Sequence, residues 1–320
     1  MKRRDFIKTA ASALPIISLF PADLSAIERE ALPGKIEKRS LGRTGEKLSM
    51  IGFGGIVVMN ATPEQASQRV SEAIDYGINY FDVAPSYGDA ELKLGPALKP
   101  YRKNVFLACK TTERTKAGSR MELEQSLKRL QTDHLDLYQF HAVNTIEDVN
   151  TILSPDGAVE TSLAAQKEGK IRFIGFSSHS VEAAMELLKS FNFDTILFPV
   201  NFATWYAGNF GPQVLQLAQQ KKMGILALKS MAKGPWPKDA INRIPKCWYE
   251  PLSDPEQALM GLRFTLSHPV TAAIPPGDEN LFKMALQLSP RIKPLTTEEV
   301  DQIKEKGLSG KPLFSYPSAL

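Results

Sequence analysis

The chain has 320 residues, with 39 Lys and Arg against 35 Asp and Glu, a formal charge of +4. That surplus is too small and too evenly spread to point to a nucleic-acid partner. Two cysteines allow at most one disulfide, and the four scattered histidines show no metal-ligand spacing with them.

Met1-Lys2-Arg3-Arg4-Asp5-Phe6-Ile7-Lys8 opens the chain, and an apolar stretch runs from Thr9 to Phe20. It is shorter than the ~20 residues a membrane span needs. A basic start, a short apolar run and small residues at Ala22 and Ala26 read as a signal peptide. The paired arginines followed by Asp-Phe-Ile-Lys resemble the twin-arginine signal of bacterial export. That resemblance implies a signal over residues 1–26, the export machinery as a partner and a periplasmic location. The alternative is a disordered basic start on a cytoplasmic protein. No later stretch is long and apolar enough to span a bilayer, so no stable membrane anchor is expected.

Ile36–Arg39 and Lys47–Met50 flank Gly42 and Gly45 and read as a small hairpin. An alternation follows. Strands are expected at Met50–Gly54, Ile78–Asp82, Val105–Lys110, Leu135–His141, Ile171–Ser177, Thr195–Phe198, Gly224–Leu228 and Thr271–Ile274. Amphipathic helices are expected between and after them, at 63–76, 90–99, 119–131, 158–168, 181–190, 211–222, 255–267 and 279–288. Near-continuous apolar strands alternating with such helices indicate a parallel sheet. Eight units indicate closure into an α/β (β/α)8 TIM barrel over 36–320, with an N-terminal β-hairpin and one extra helix at Thr296–Lys306.

Three successive strands end in charged or titratable residues: Asp82, Lys110 and His141. Tyr87 lies on the loop just after Asp82, between Pro85 and Gly88. In a parallel barrel the C-terminal strand ends share one face, where catalysis occurs. Each residue has a structural reading of its own: a buried ion pair for Asp82 and Lys110, a satisfied core histidine for His141. Their arrival on successive units weighs against that reading. In this order the four residues resemble the catalytic group of the aldo-keto reductases. The resemblance implies hydride transfer between a nicotinamide, NADP or NAD, and a small-molecule carbonyl or alcohol substrate. Tyr87 would be the proton donor, Lys110 would lower its pKa, Asp82 would hold Lys110, and a neutral His141 would donate to the carbonyl oxygen.

The same resemblance implies cofactor contacts. Gly54 and Gly55 fall in its first-strand glycine turn, and Ser177 and Ser178 fall where it binds the nicotinamide amide, Ser178 replacing the usual Asn. At the sixth strand, Leu197 stands where a Gln usually holds that amide, with Asn201 following. Leu228 and Lys229 end the seventh strand without the usual stacking aromatic. Beyond the eighth, Glu279 and Asn280 follow Asp278, which is expected to cap the last helix. Two adjacent acids there would repel a 2′-phosphate, so the choice between NADP and NAD stays open. The aromatic loops carry Trp205, Trp236 and Trp248 as candidate substrate contacts, with Lys233–Pro251 as a candidate lid. An exported enzyme would meet no free nicotinamide pool, so the cofactor is expected to be trapped beneath that lid. The other reading is a regulatory barrel that binds nicotinamide without catalysis.

Overall fold

The computed structural model describes residues 35–317. The expected signal, residues 1–26, lies outside them. β1 (Lys38–Ser40) and β2 (Lys47–Ser49) pair antiparallel as the hairpin. Gly42 turns it with φ +51, and it rests so close to the Met223–Gly224 backbone that a Cβ would collide. The hairpin therefore seats against the N-terminal end of a barrel strand and sends Leu41 and Leu48 into the barrel.

The barrel strands are β3 (Phe53–Gly54), β4 (Tyr80–Asp82), β5 (Phe106–Thr111), β6 (Leu135–Phe140), β7 (Ile171–Ser177), β8 (Thr195–Pro199) and β9 (Gly224–Leu228). A short antiparallel pair, β10 (Ala232–Gly234) and β11 (Glu250–Pro251), precedes the last barrel strand, β12 (Ala272–Ala273). Neighbours along the sheet are parallel, in the order β3 to β9 followed by β12. The sheet closes where Ile51 bridges Ala273. At that seam Gly52 N donates to Ala273 O at 2.9 Å, and Ala273 N donates to Met50 O at 2.9 Å. With the seam held by one bridge, β3 and β12 are shorter than the strands expected from sequence.

The helices are α1 (Pro63–Asp75), α2 (Ala90–Leu98), α3 (Lys116–Leu130), α4 (Ile146–Leu153), α5 (Ala158–Lys167) and α6 (Val181–Ser190). They continue with α7 (Phe202–Tyr206), α8 (Pro212–Gln220), α9 (Pro255–Leu266), α10 (Glu279–Leu288) and α11 (Thr297–Ser309). α1 shows why such starts are legible. Thr62 and Gln65 form a reciprocal capping box, and Pro63 occupies the first turn, where its missing N–H costs nothing. Two helices, α4 and α7, were not expected. Each is short, and each begins at a side-chain cap, Thr145 and Asn201 respectively.

Strand alternation sorts the core into two layers. Tyr80, Phe106, Ala108, Leu137, Leu197, Leu226, Ala272 and Ile274 fill the barrel with Leu41 and Leu48. Phe81, Leu107, Cys109 and Tyr138 face the helices instead. Asp82 follows the inward parity of Tyr80, and Lys110 that of Phe106 and Ala108. The apolar interior thus ends in a polar layer at the C-terminal mouth. Cys109 lies in the outer layer, where Sγ donates to Glu91 at 3.4 Å, and both cysteines are free. Among the described residues no helix is long and apolar enough to cross a membrane, and no cluster of His, Cys, Asp and Glu has the makings of a metal site.

Candidate active site

Asp82 and Lys110 form an ion pair with side chains only 2% and 0% exposed. Such a pair persists only when its remaining hydrogen-bonding capacity is used. Asp82 Oδ2 accepts from Tyr80 OH at 3.2 Å and from Gln139 Nε2 at 3.0 Å, and Lys110 Nζ also donates to Val83 O at 3.1 Å. Tyr80 and Gln139 were not singled out from sequence. Their signal was parity: each stands two residues before a site residue, Asp82 or His141, along the same extended stretch.

Tyr87 stands in front of this pair. Lys110 Nζ is 5.0 Å from its ring centroid, and the His141 ring meets it edge-on at 5.7 Å. His141 follows β6, and its Nδ1 lies 3.2 Å from Ser86 Oγ. Arg114 Nη2 donates to the carbonyls of His141 and Ala142 at 2.9 and 3.3 Å, fixing a turn in which Ala142 takes φ +51. The four residues aligned in sequence therefore converge on one mouth.

The electrostatics differ from expectation at one of them. Burial raises the Tyr87 pKa, and this outweighs the downward pull of Lys110. Tyr87 is thus a protonated phenol, suited to giving a proton. Burial also works against a charged Lys110, but Asp82 and Tyr87 more than offset it and its pKa is raised. His141 is pushed down to about 3 by burial, then by Lys110, His179, Arg114 and Lys229. It is neutral at ordinary pH, as the proposed donor role requires.

This shift has a sign that can be tested. The unfolded imidazole binds a proton near pH 6.5, whereas the folded one binds it near 3. The neutral form's contribution to stability is complete above 6.5 and is lost as pH falls toward 3. The loss is at most about 1.4 kcal/mol per pH unit. Chemical denaturation across this window should show a shallower acid slope for His141→Gln than for the wild type.

The mouth opens into a cavity of ≈ 240 Å³. Asp82, Tyr87 and His141 line it with Gly54, Leu228, Lys229, His179 and Ile274 to Gly277. Lys246, Trp248 and Tyr249 cover it from the loop between β10 and β11. Lys246 Nζ reaches across to Val57 O at 3.1 Å, and Trp236 Nε1 donates to Cys247 O at 2.8 Å within the loop. Of the three tryptophans considered for substrate contact, only Trp248 lines the cavity. Trp205 is corrected to the helical layer, 4.2 Å from the His268 ring, and Trp236 to a brace inside the loop.

The expected cofactor residues divide in the same way. Gly54, Leu228 and Lys229 line the cavity. Glu279 and Asn280 line a neighbouring groove of ≈ 290 Å³, where Arg69 pairs with Glu279. Asp278 caps α10, as expected. Arg69 from α1 and Lys246 from the loop reach this turn through space, Arg69 at Glu279 and Lys246 in the cavity wall it shares with Pro275 to Gly277. Gly55 packs against Val83, and Leu197 is core. Ser177 Oγ accepts from Ala142 N at 2.8 Å, Ser178 Oγ donates to Ser180 O at 2.9 Å, and Asn201 caps α7. These three do not line this cavity. His179, directly after Ser178, is in the wall and was missed.

A closed (β/α)8 barrel with a tyrosine, an ion-paired lysine and a neutral histidine at its mouth defines a barrel with an acid–base site. The chain belongs to the aldo/keto reductase family, whose model matches residues 50–251. Among curated relatives, it is 32% identical over 218 residues to the aldo-keto reductase YhdN of Bacillus subtilis, covering 62% of this chain and 63% of that one. It is 36% identical over 161 residues to L-galactose dehydrogenase of Arabidopsis thaliana, covering 45% and 49%. The match therefore spans less than two thirds of either relative. Among solved structures, the aldo-keto reductase AKR11C1 of Bacillus halodurans in its holo form superposes with a TM-score of 0.68 at 24% identity, covering 88% of this chain and 98% of that one. An aldo/keto reductase of Klebsiella pneumoniae, solved with NADP and acetate, gives 0.66 at 22%, covering 89% and 99%.

Proposed function

We propose that this protein transfers hydride between a nicotinamide, NADP or NAD, and a carbonyl or alcohol substrate. The observation that carries this reading is the protonated Tyr87 in front of the buried Lys110–Asp82 pair, facing a cavity shared with neutral His141. The cavity suits a flat ring. Leu228 and Ile274 give it apolar surface, and Gly54 leaves space where a Cβ would stand 3.0 Å from Ile274. When bound, the nicotinamide supplies or accepts the hydride. His141, with its proton on the nitrogen away from Ser86, donates to the carbonyl oxygen. Tyr87 gives that oxygen its proton, and Lys110 stabilises the phenolate left behind. The loop carrying Lys246, Trp248 and Tyr249 limits access of water. The test is oxidation of NADPH or NADH by purified protein with a panel of aldehydes, ketones and oxo acids. Absence of turnover with every member would remove the reading.

The opening residues support export by the twin-arginine route, which carries folded proteins. A cofactor loaded before export would have to stay bound. The β10–β11 pair ties the loop's two ends, and Lys246 in its second half fastens it to Val57. We therefore expect nucleotide, identified by mass spectrometry, to survive extensive dialysis of the native protein. Lys246→Ala should speed its release, because loop opening commonly limits release. An empty pocket that binds NAD(P)H weakly and reversibly, or full-length protein confined to the cytoplasm, would defeat the trapping idea.

A further inference from the structure

Lys229 follows β9 with φ +65, a left-handed conformation that lysine rarely adopts and that clusters at functional sites. Its Nζ lies 4.9 Å from the Trp248 ring centroid and 4.7 Å from that of Tyr249. Among the other cations around the mouth, Lys110 is paired with Asp82 and Arg114 with Asp148, while Lys246 donates to the Val57 carbonyl, which it shares with Arg69. Among the described residues, no carboxylate or carbonyl oxygen hydrogen-bonds Lys229. Two aromatic faces attract an ammonium but carry no counter-charge.

His179 borders the same cavity. Its Nε2 is buried without a hydrogen-bond partner, while its ring stacks on Phe314 at 5.1 Å. A buried polar atom left unpaired is unfavourable and calls for an explanation. Burial holds Lys229 down at about 8, and burial followed by Lys229 holds His179 at about 4. Lys229 therefore leaves the mouth electropositive, and it lines with His179 the cavity that the residues assigned to proton transfer also line. A negative group placed there would relieve the unpaired ammonium and complete the histidine.

We propose that Lys229 and His179 form a subsite for an oxyanion carried by the substrate, so that the carbonyl or alcohol presented to Tyr87 belongs to an acid or a phosphate ester. This rests on the hydride-transfer reading above and narrows its substrate class. Lys229 supplies the charge. His179, neutral and with its proton on Nε2, donates one hydrogen bond. Trp248 and Tyr249 wall the subsite. The other source of an oxyanion is the cofactor's own pyrophosphate. A ribose separates that group from the nicotinamide, whereas Lys229 and His179 line the same cavity as Tyr87 and His141, the residues assigned to the carbonyl oxygen. Lys229, expected from sequence among the cofactor contacts, is therefore assigned to the substrate.

Two measurements test the proposal. Calorimetric titration with pyruvate and with inorganic phosphate needs no turnover, so it stands even if hydride transfer fails. The wild type should bind at least one of them. Lys229→Met should weaken that binding roughly 10–100-fold, the loss expected for one charged hydrogen bond. Lys229→Arg should retain it, and melting curves would verify folding, with Lys229→Gln replacing an unstable Met variant. Binding of neither anion by the wild type, or binding that survives in Lys229→Met, would overturn the proposal. The second measurement compares kcat/KM for a 2-oxo acid and for its methyl ester. In Lys229→Met the preference for the acid should collapse, while NAD(P)H affinity holds to within about twofold. If NAD(P)H affinity falls and the preference persists, Lys229 holds the cofactor's pyrophosphate and the substrate subsite is wrong.

Discussion

Tyr87→Phe should lower kcat by about 10²–10⁴-fold, the usual contribution of a positioned general acid. Only the phenolic hydroxyl is removed. The ring that Lys110 Nζ approaches at 5.0 Å is kept, and so is the edge-on contact with His141. NAD(P)H should bind the variant as it binds the wild type, because the cavity keeps its shape. Single-turnover kinetics with preloaded cofactor would isolate the proton-transfer step from product release. The pKa of Tyr87 strengthens the expectation. Burial keeps the phenol protonated despite Lys110, so the wild type enters the reductive cycle with its proton in place. A Tyr87→Phe enzyme that reduces carbonyls at the wild-type rate would remove Tyr87 from the role and leave His141 as the remaining candidate donor.

The site was legible to the extent that it obeys local rules. Asp82, Lys110 and His141 sit within one residue of the ends of apolar strands, and the two-residue period of a strand fixes the face of each side chain. The hairpin turn at Gly42 and the capped start of α1 are also local. What sequence inspection missed comes from contacts between residues far apart in the chain. Arg69 and Lys246 approach the turn after β12 from 209 and 32 residues before Asp278 in the numbering. His179 enters the wall because β7 ends beside β6, while Phe314, from the far end of the chain, holds its ring. Composition ranked the three tryptophans alike. Burial separates them, since Trp205 packs on Phe264 and His268 while Trp248 is 61% exposed at the cavity. α7 escaped notice because it has five residues, too few for a helical period to show.

Lys110→Met should destabilise the fold by about 3–5 kcal/mol, because it strands Asp82 in a site with almost no solvent. Asp82→Asn should cost a similar amount by stranding Lys110. The informative protein is the double variant, Asp82→Asn with Lys110→Met. It leaves no buried charge at the pair. The introduced amide still offers an oxygen to Tyr80 and Gln139, which donate to Asp82 in the native protein. Urea denaturation should therefore find the double variant more stable than either single one, with a coupling of the size expected for groups in direct contact. Its kcat should stay low. Without Lys110, the pKa of Tyr87 loses the largest influence that pulls it down, and the phenolate left after proton transfer has no cation beside it. Stability would then recover while activity does not. That split would mean the ion pair is retained for the chemistry at Tyr87, since a neutral pair holds the fold. Recovery of both together would assign Asp82 and Lys110 to packing alone.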